Sequence, residues 1–109
     1  MVAPVTDPSG LADEILADLR RVFARHPGIE EVRLFGSRAK GTHRPGSDID
    51  LAVFAPSMSE AEFAALWQEI DDLSILFKID LLHWDRLANT VLRDKIRREG
   101  RRIYPQGNP

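Results

Sequence analysis

The sequence predicts a small α+β domain in which a mixed β-sheet is covered by helices, mainly on one face, in the order α-β-β-α-β-α. Three observations carry this expectation. Short apolar, β-prone runs at residues 32–35, 49–54 and 75–84 are set among stretches whose apolar residues recur at helical spacing. A chain of 109 residues is long enough to bury one core without cross-links. Its composition, 43% hydrophobic and 29% charged, is ordinary for a folded domain.

Each element has a local reason. Asp7-Pro8 reads as a helix start, an N-cap followed by a proline in the first turn. Leu11, Ile15, Leu16, Leu19, Val22 and Phe23 form one apolar stripe, and His26-Pro27-Gly28 ends it. After the first strand, residues 38–41 form a single helical turn and residues 42–46 a loop. The second strand is continuously apolar after Asp50, and Pro56 stops it. Ser57/Glu60 and Ser59/Glu62 both have capping-box spacing, so a helix begins there with Phe63, Leu66, Trp67, Ile70 and Leu73 facing inward. The third strand carries Asp80. Asp85 is the expected cap of a last helix running to Glu99, with Leu87, Val91, Leu92 and Ile96 inward and Gly100 as its C′ residue. Ile103-Tyr104 makes a short apolar hook. The domain is expected to span residues 7–104, between flexible termini at 1–6 and 105–109.

The formal net charge of −2 argues neither for a broad nucleic-acid footprint nor for a membrane surface. The absence of cysteine excludes disulfides and thiolate metal sites. No apolar stretch approaches the roughly 20 residues that span a bilayer. The first ten residues lack a basic start followed by an apolar run. These features lead to the expectation of a cytoplasmic protein with no membrane partner.

The chemistry concentrates between Leu34 and Val53. Gly36-Ser37 stands ten residues ahead of Asp48-Ile49-Asp50, and each half adjoins a strand. Carboxylates at i and i+2 on a strand share a face, because side chains alternate with period two. Like charges held that close repel, so the pair is costly unless a cation lies between them, and hard oxygen ligands favour Mg²⁺ or Mn²⁺. The glycine lets the backbone approach a phosphate chain, and Ser37 can donate to its oxygens. Arg38 adds a planar fork for phosphate. Asp80 lies between Ile79 and Leu81, where an unpaired charge is expensive to bury. If its strand lies beside the second, Asp48, Asp50 and Asp80 converge, which suits two-metal chemistry on a triphosphate.

Each residue also has a plainer role open to it. Asp48 can cap the loop, Asp50 can face water, and Asp80 can sit at the sheet rim with Lys78 or Arg86. Gly36-Ser37 can be a strand-ending turn with a serine cap, and Arg38 and Lys40 can be solvated. His26 reads as a helix-end residue, His43 as a mobile loop residue within reach of a nucleotide, and His83 as a packed or rim histidine. Gly41 and Gly46 serve loop geometry. Neither a Gly-x-Ser-x-Gly elbow nor a P-loop is present, since Thr42-His43 follows Gly41. The basic run Arg93, Lys95, Arg97, Arg98, Arg101 and Arg102 reads first as a solvated helix face, and second as a docking patch for an acidic partner or RNA.

The stretch from Leu34 to Val53, with Asp80 and the ending Ile96-Arg97-Arg98-Glu99-Gly100-Arg101-Arg102-Ile103-Tyr104, resembles the minimal nucleotidyltransferases of the polymerase-β-like superfamily. The resemblance runs from Leu11 to Tyr104. It implies Mg²⁺ or Mn²⁺ held by Asp48, Asp50 and Asp80 as catalytic and metal residues, with Gly36, Ser37 and Arg38 against a nucleoside triphosphate. Many such proteins are antitoxins encoded beside HEPN-domain ribonuclease toxins, and some transfer AMP from ATP to a tyrosine of the toxin. The resemblance therefore implies a HEPN-type toxin as partner, with nucleic acid involved only through that partner. Two departures matter. Lys40 stands where arginine is common, and the chain has no room for the helical domain that closes larger members over nucleotide and acceptor. Two other functions stay open: a non-catalytic antitoxin acting by occlusion, and a nucleotidyltransferase for a small molecule such as an antibiotic.

Overall fold

A computed structural model describes residues 11–42, 48–75 and 77–105. Its elements are α1 (Asp13–Phe23), β1 (Glu31–Phe35), α2 (Ser37–Lys40), β2 (Ile49–Phe54), α3 (Glu60–Asp71), β3 (Ile79–His83), a 3₁₀ turn (Trp84–Arg86), α4 (Thr90–Glu99) and β4 (Arg101–Tyr104). The four strands form one sheet in the order β3-β2-β1-β4. β1 pairs antiparallel with both β2 and β4, while β2 and β3 are parallel. Parallel neighbours need a crossover, and α3 supplies it. The mixed sheet of the sequence reading is present, with β4 added where only a hook was expected.

Alternation along the strands divides the sheet. Val32, Leu34, Ile49, Leu51, Val53, Ile79, Leu81 and Ile103 face one way and join Leu16, Leu19, Val22 and Phe23 of α1 and Leu66 and Ile70 of α3 in the main core. Each such side chain contributes about 1.5–3 kcal/mol by leaving water. The opposite face carries a smaller cluster of Ala52, Trp84 and Ile96, flanked by Phe35, Phe54, Leu82, Leu87 and Leu92. α4 covers that part of the second face, which toward the start of β2 carries Asp50.

Several expectations about boundaries need correction. The Asp7-Pro8 helix start lies outside the described residues; α1 begins after Ala12, and Leu11 is fully buried just ahead of it. α1 ends at Phe23, three residues before His26. Ser59, not Ser57, caps α3, exchanging hydrogen bonds with Glu62 at 3.1 and 2.9 Å. Asp85 caps no helix. Its carboxylate accepts from the Ala55 N–H at 2.7 Å, and Asn89 caps α4 by accepting from Leu92 N–H. That later start leaves Val91 pointing outward at 77% exposure. Gly100 has an ordinary extended conformation; what demands glycine there is space, since a Cβ would lie 2.4 Å from the Ile96 carbonyl oxygen. No helix among the described residues is long and apolar enough to cross a membrane.

Candidate functional site

β2 begins with Ile49 against the main core, which turns Asp50 to the other face. There Asp50 is flanked in register by Phe35 of β1 on one side and Asp80 of β3 on the other. Adjacent strands lie about 4.8 Å apart, so two carboxylates at matched positions of β2 and β3 are neighbours. Asp48, exposed just ahead of β2, belongs to the same side of the strand by its i, i+2 spacing. The juxtaposition of Asp50 with Asp80 thus follows from a parallel pairing that sequence spacing alone does not reveal.

The electrostatics follow from the geometry. Partial burial pushes the Asp50 carboxyl above its ordinary range, the charges of Asp80 and then Asp48 push it further, and Lys78 opposes them. The Lys78 ammonium lies 4.0 Å from Asp80 Oδ1. Asp80 therefore has both partners that its sequence context allowed, a neighbouring acid and a rim lysine. Arg86 is not among them; it pairs with Glu60 at 3.7 Å.

Gly36 is built against this cluster. Its φ of +78° suits glycine, and a Cβ there would stand 2.9 Å from Asp50 Oδ2. The chain then enters the single turn α2, closed by Gly41 at φ +74° and by the Thr42 N–H donating to the Ser37 carbonyl at 3.0 Å. Ser37 is exposed beside the acids. Arg38 departs from the expected solvated or phosphate-facing position. It is 2% exposed, with its guanidinium 4.8 Å from the centre of the Phe77 ring, and burial lowers its pKa. Lys40 is engaged at 3.1 Å by Glu99 of α4. His43 and Gly46 fall outside the described residues.

The other histidines are structural. His26 Nε2 lies 2.9 Å from Glu69 Oε2, linking the end of α1 to α3. His83 is buried, stacks on Phe63 and donates from Nε2 to the Ala55 carbonyl at 2.8 Å.

The donor set, carboxylate oxygens whose mutual repulsion is already felt at Asp50, fits a hard divalent cation. It is not a closed cage: among the described residues no three acidic or histidine side chains are gathered as a ready-made metal site. Sequence reasoning missed two hollows, one reaching Asp80 and the other Gly36. One of about 370 Å³ lies under α3 and the start of β3, lined by Trp67, Ile70, Phe77, Lys78 and Asp80 among others. The second, of about 190 Å³, is bounded by Phe35, Gly36, Leu92, Lys95, Ile96 and Glu99. The second gave no local signal because it joins segments far apart in the chain.

Comparison with known proteins agrees with this geometry. The family model for the polymerase β nucleotidyltransferase domain matches residues 17–108. No curated protein sequence matches significantly. Among solved structures, a toxin–antitoxin with AMP-PNP is similar at 28% identity and a TM-score of 0.65, over 88% of this chain and 75% of that one. A toxin–antitoxin mutant, MntA–HpeT, in which two aspartates two positions apart are changed to glutamate, is 26% identical with a TM-score of 0.63, over 88% and 75% of the two chains. The MntA–HepT toxin–antitoxin shares the fold at 22% identity and a TM-score of 0.62, over 85% and 72%. With a family match across nearly the whole described fold and an acid pair set beside a Gly-Ser turn, this chain belongs to the polymerase β nucleotidyltransferase family.

Proposed function

We propose that this chain is the nucleotidyltransferase antitoxin of a toxin–antitoxin pair, transferring AMP from ATP to a hydroxyl group of a HEPN-type toxin. The observation that carries the reading is the register of Asp50 with Asp80 on adjacent parallel strands, with Gly36 pressed against the Asp50 carboxylate. The toxin–antitoxin structure with AMP-PNP and the MntA–HpeT aspartate pair, spaced as Asp48 and Asp50 are, support the assignment of nucleotide and partner.

Asp48, Asp50 and Asp80 would hold Mg²⁺ or Mn²⁺. Such an ion, when bound, supplies positive charge against the phosphate oxygens and lowers the pKa of a coordinated hydroxyl. The chain's own groups do the rest. Gly36 leaves room for a triphosphate to approach the backbone, and the exposed Ser37 hydroxyl donates to its oxygens. Arg38 is buried against Phe77 and acts by positioning the α2 turn. The acceptor oxygen bonds to the α-phosphorus, the bond to the bridging oxygen breaks, and pyrophosphate leaves with its electron pair. Asp80, half exposed, takes the acceptor's proton.

The test is incubation with α-labelled ATP, Mg²⁺ and the protein encoded beside this chain. Label passes to the partner with the wild type and not with Asp48→Asn/Asp50→Asn; equal transfer by both would refute the reading. The open arrangement of the acids favours one alternative, neutralisation by occlusion alone. It predicts that the double variant still rescues growth against the toxin.

A further inference from the structure

At the opposite end of β3 from Asp80 is a second built site that nucleotidyl transfer does not use. β3 runs into Trp84, about 13 Å along the strand from Asp80 at roughly 3.3 Å per residue. The Trp84 ring stacks on Phe54 at 4.5 Å, and its indole N–H donates to the Arg93 carbonyl at 3.3 Å, so it is fixed against α4. Over the same ring lie the guanidiniums of Arg93 at 4.3 Å and Arg97 at 4.9 Å. Arg33 adds a third, over Phe54 at 5.3 Å. Between them opens a hollow of about 200 Å³, lined by Trp84, Thr90, Arg93, Asp94 and Arg97.

The charges here are only partly balanced from within, two arginines standing against Asp94. Arg33 is paired with Glu31, but neither Arg93 nor Arg97 has a carboxylate within ion-pair distance among the described residues. The Nε of Arg93 is buried with no hydrogen-bond partner. A buried donor left unpaired is costly, and a planar fork beside a second guanidinium is matched in shape and charge by a carboxylate. We propose that this hollow binds an acidic side chain of a partner protein, with α4 as the docking surface.

One feature favours a protein over RNA. Trp84 is 8% exposed and covered by Phe54 and two guanidiniums, so it offers no face for stacking a base. Desolvated between two guanidiniums, the incoming carboxylate acts as the anchor of the contact.

The test uses the full chain and a fluorescein-labelled peptide of alternating Glu and Leu, with its Lys counterpart, a single-stranded uridine oligonucleotide and inorganic phosphate as competitors. The acidic peptide binds, quenches Trp84 emission and is released as ionic strength rises. Arg93→Gln/Arg97→Gln weakens it by about tenfold or more, as loss of an interface anchor does. Arg93→Lys/Arg97→Lys, which keeps the charge and protects the fold, weakens it less, because only the fork is lost. Asp48→Asn/Asp50→Asn binds it unchanged, so the result does not depend on catalysis. Absence of binding, unaltered binding by the Gln pair with its melting temperature intact, or tighter binding of the oligonucleotide or phosphate would overturn the proposal.

Discussion

The two faces of the sheet are made from the same strands and are built to opposite standards. In β2, Ile49, Leu51 and Val53 enter a continuous dry core under α1 and α3, while Asp50, Ala52 and Phe54 face the other way. The first face satisfies the packing rule at every position. The second breaks it at Asp50 and again around Trp84, where arginines lie on aromatic rings. Rules of local consistency fail where a protein does chemistry, and the main core supplies the stability that tolerates such failures. Alternation makes the separation sharp: neighbouring residues of one strand serve different ends.

Substitutions one residue apart should separate the faces. Asp50→Asn should lower nucleotidyl transfer by roughly 10³-fold, the scale set by losing a transition-state charge contact and equal to about 4 kcal/mol. Its stability should move the other way. The folded-state pKa of Asp50 is raised, so its favourable contribution is complete below the unfolded value and is lost as pH rises through the folded one. Melting curves should therefore show the variant more stable than wild type at neutral pH, with the difference vanishing in acid. Leu51→Ala should do the reverse, costing about 3 kcal/mol in denaturant titration while the folded fraction keeps its activity.

Gly36→Ala should touch both faces at once. Positive φ and the 2.9 Å approach to Asp50 Oδ2 predict a loss of about 2 kcal/mol together with reduced transfer. The smallest effect belongs to Ser59→Ala, at about 1 kcal/mol by loss of the α3 cap and with no change in transfer. The hydrogen bonds to Ser59 hold the Glu62 carboxyl below its ordinary range, so this difference should shrink as acid protonates Glu62. A Gly36→Ala protein with full activity would remove the link between the Gly-Ser turn and the acids.

What was legible in the sequence was local. The bounds of β2, the Ser59–Glu62 box and the apolar stripes of α1 and α3 follow from side chains within one or two turns of each other. β4 was missed because Arg101 to Tyr104 is too short to show alternation, and its partner β1 lies far away in sequence. Asp85 looked like a helix cap because its competitor, the Ala55 N–H, is thirty residues distant. The burial of Arg38 depends on Phe77, and the pairing of Asp50 with Asp80 on a parallel register. Residue types at the candidate site were readable; which of them meet was a property of topology.

The most direct measurement is a crystal structure of this chain soaked with Mn²⁺ and a non-hydrolysable ATP analogue, read by anomalous scattering. The account predicts a manganese peak within coordination distance of the Asp50 and Asp48 carboxylates and a phosphate, with Asp80 turned toward it. A nucleotide bound without metal among these three side chains, or Mn²⁺ bound elsewhere, would contradict it.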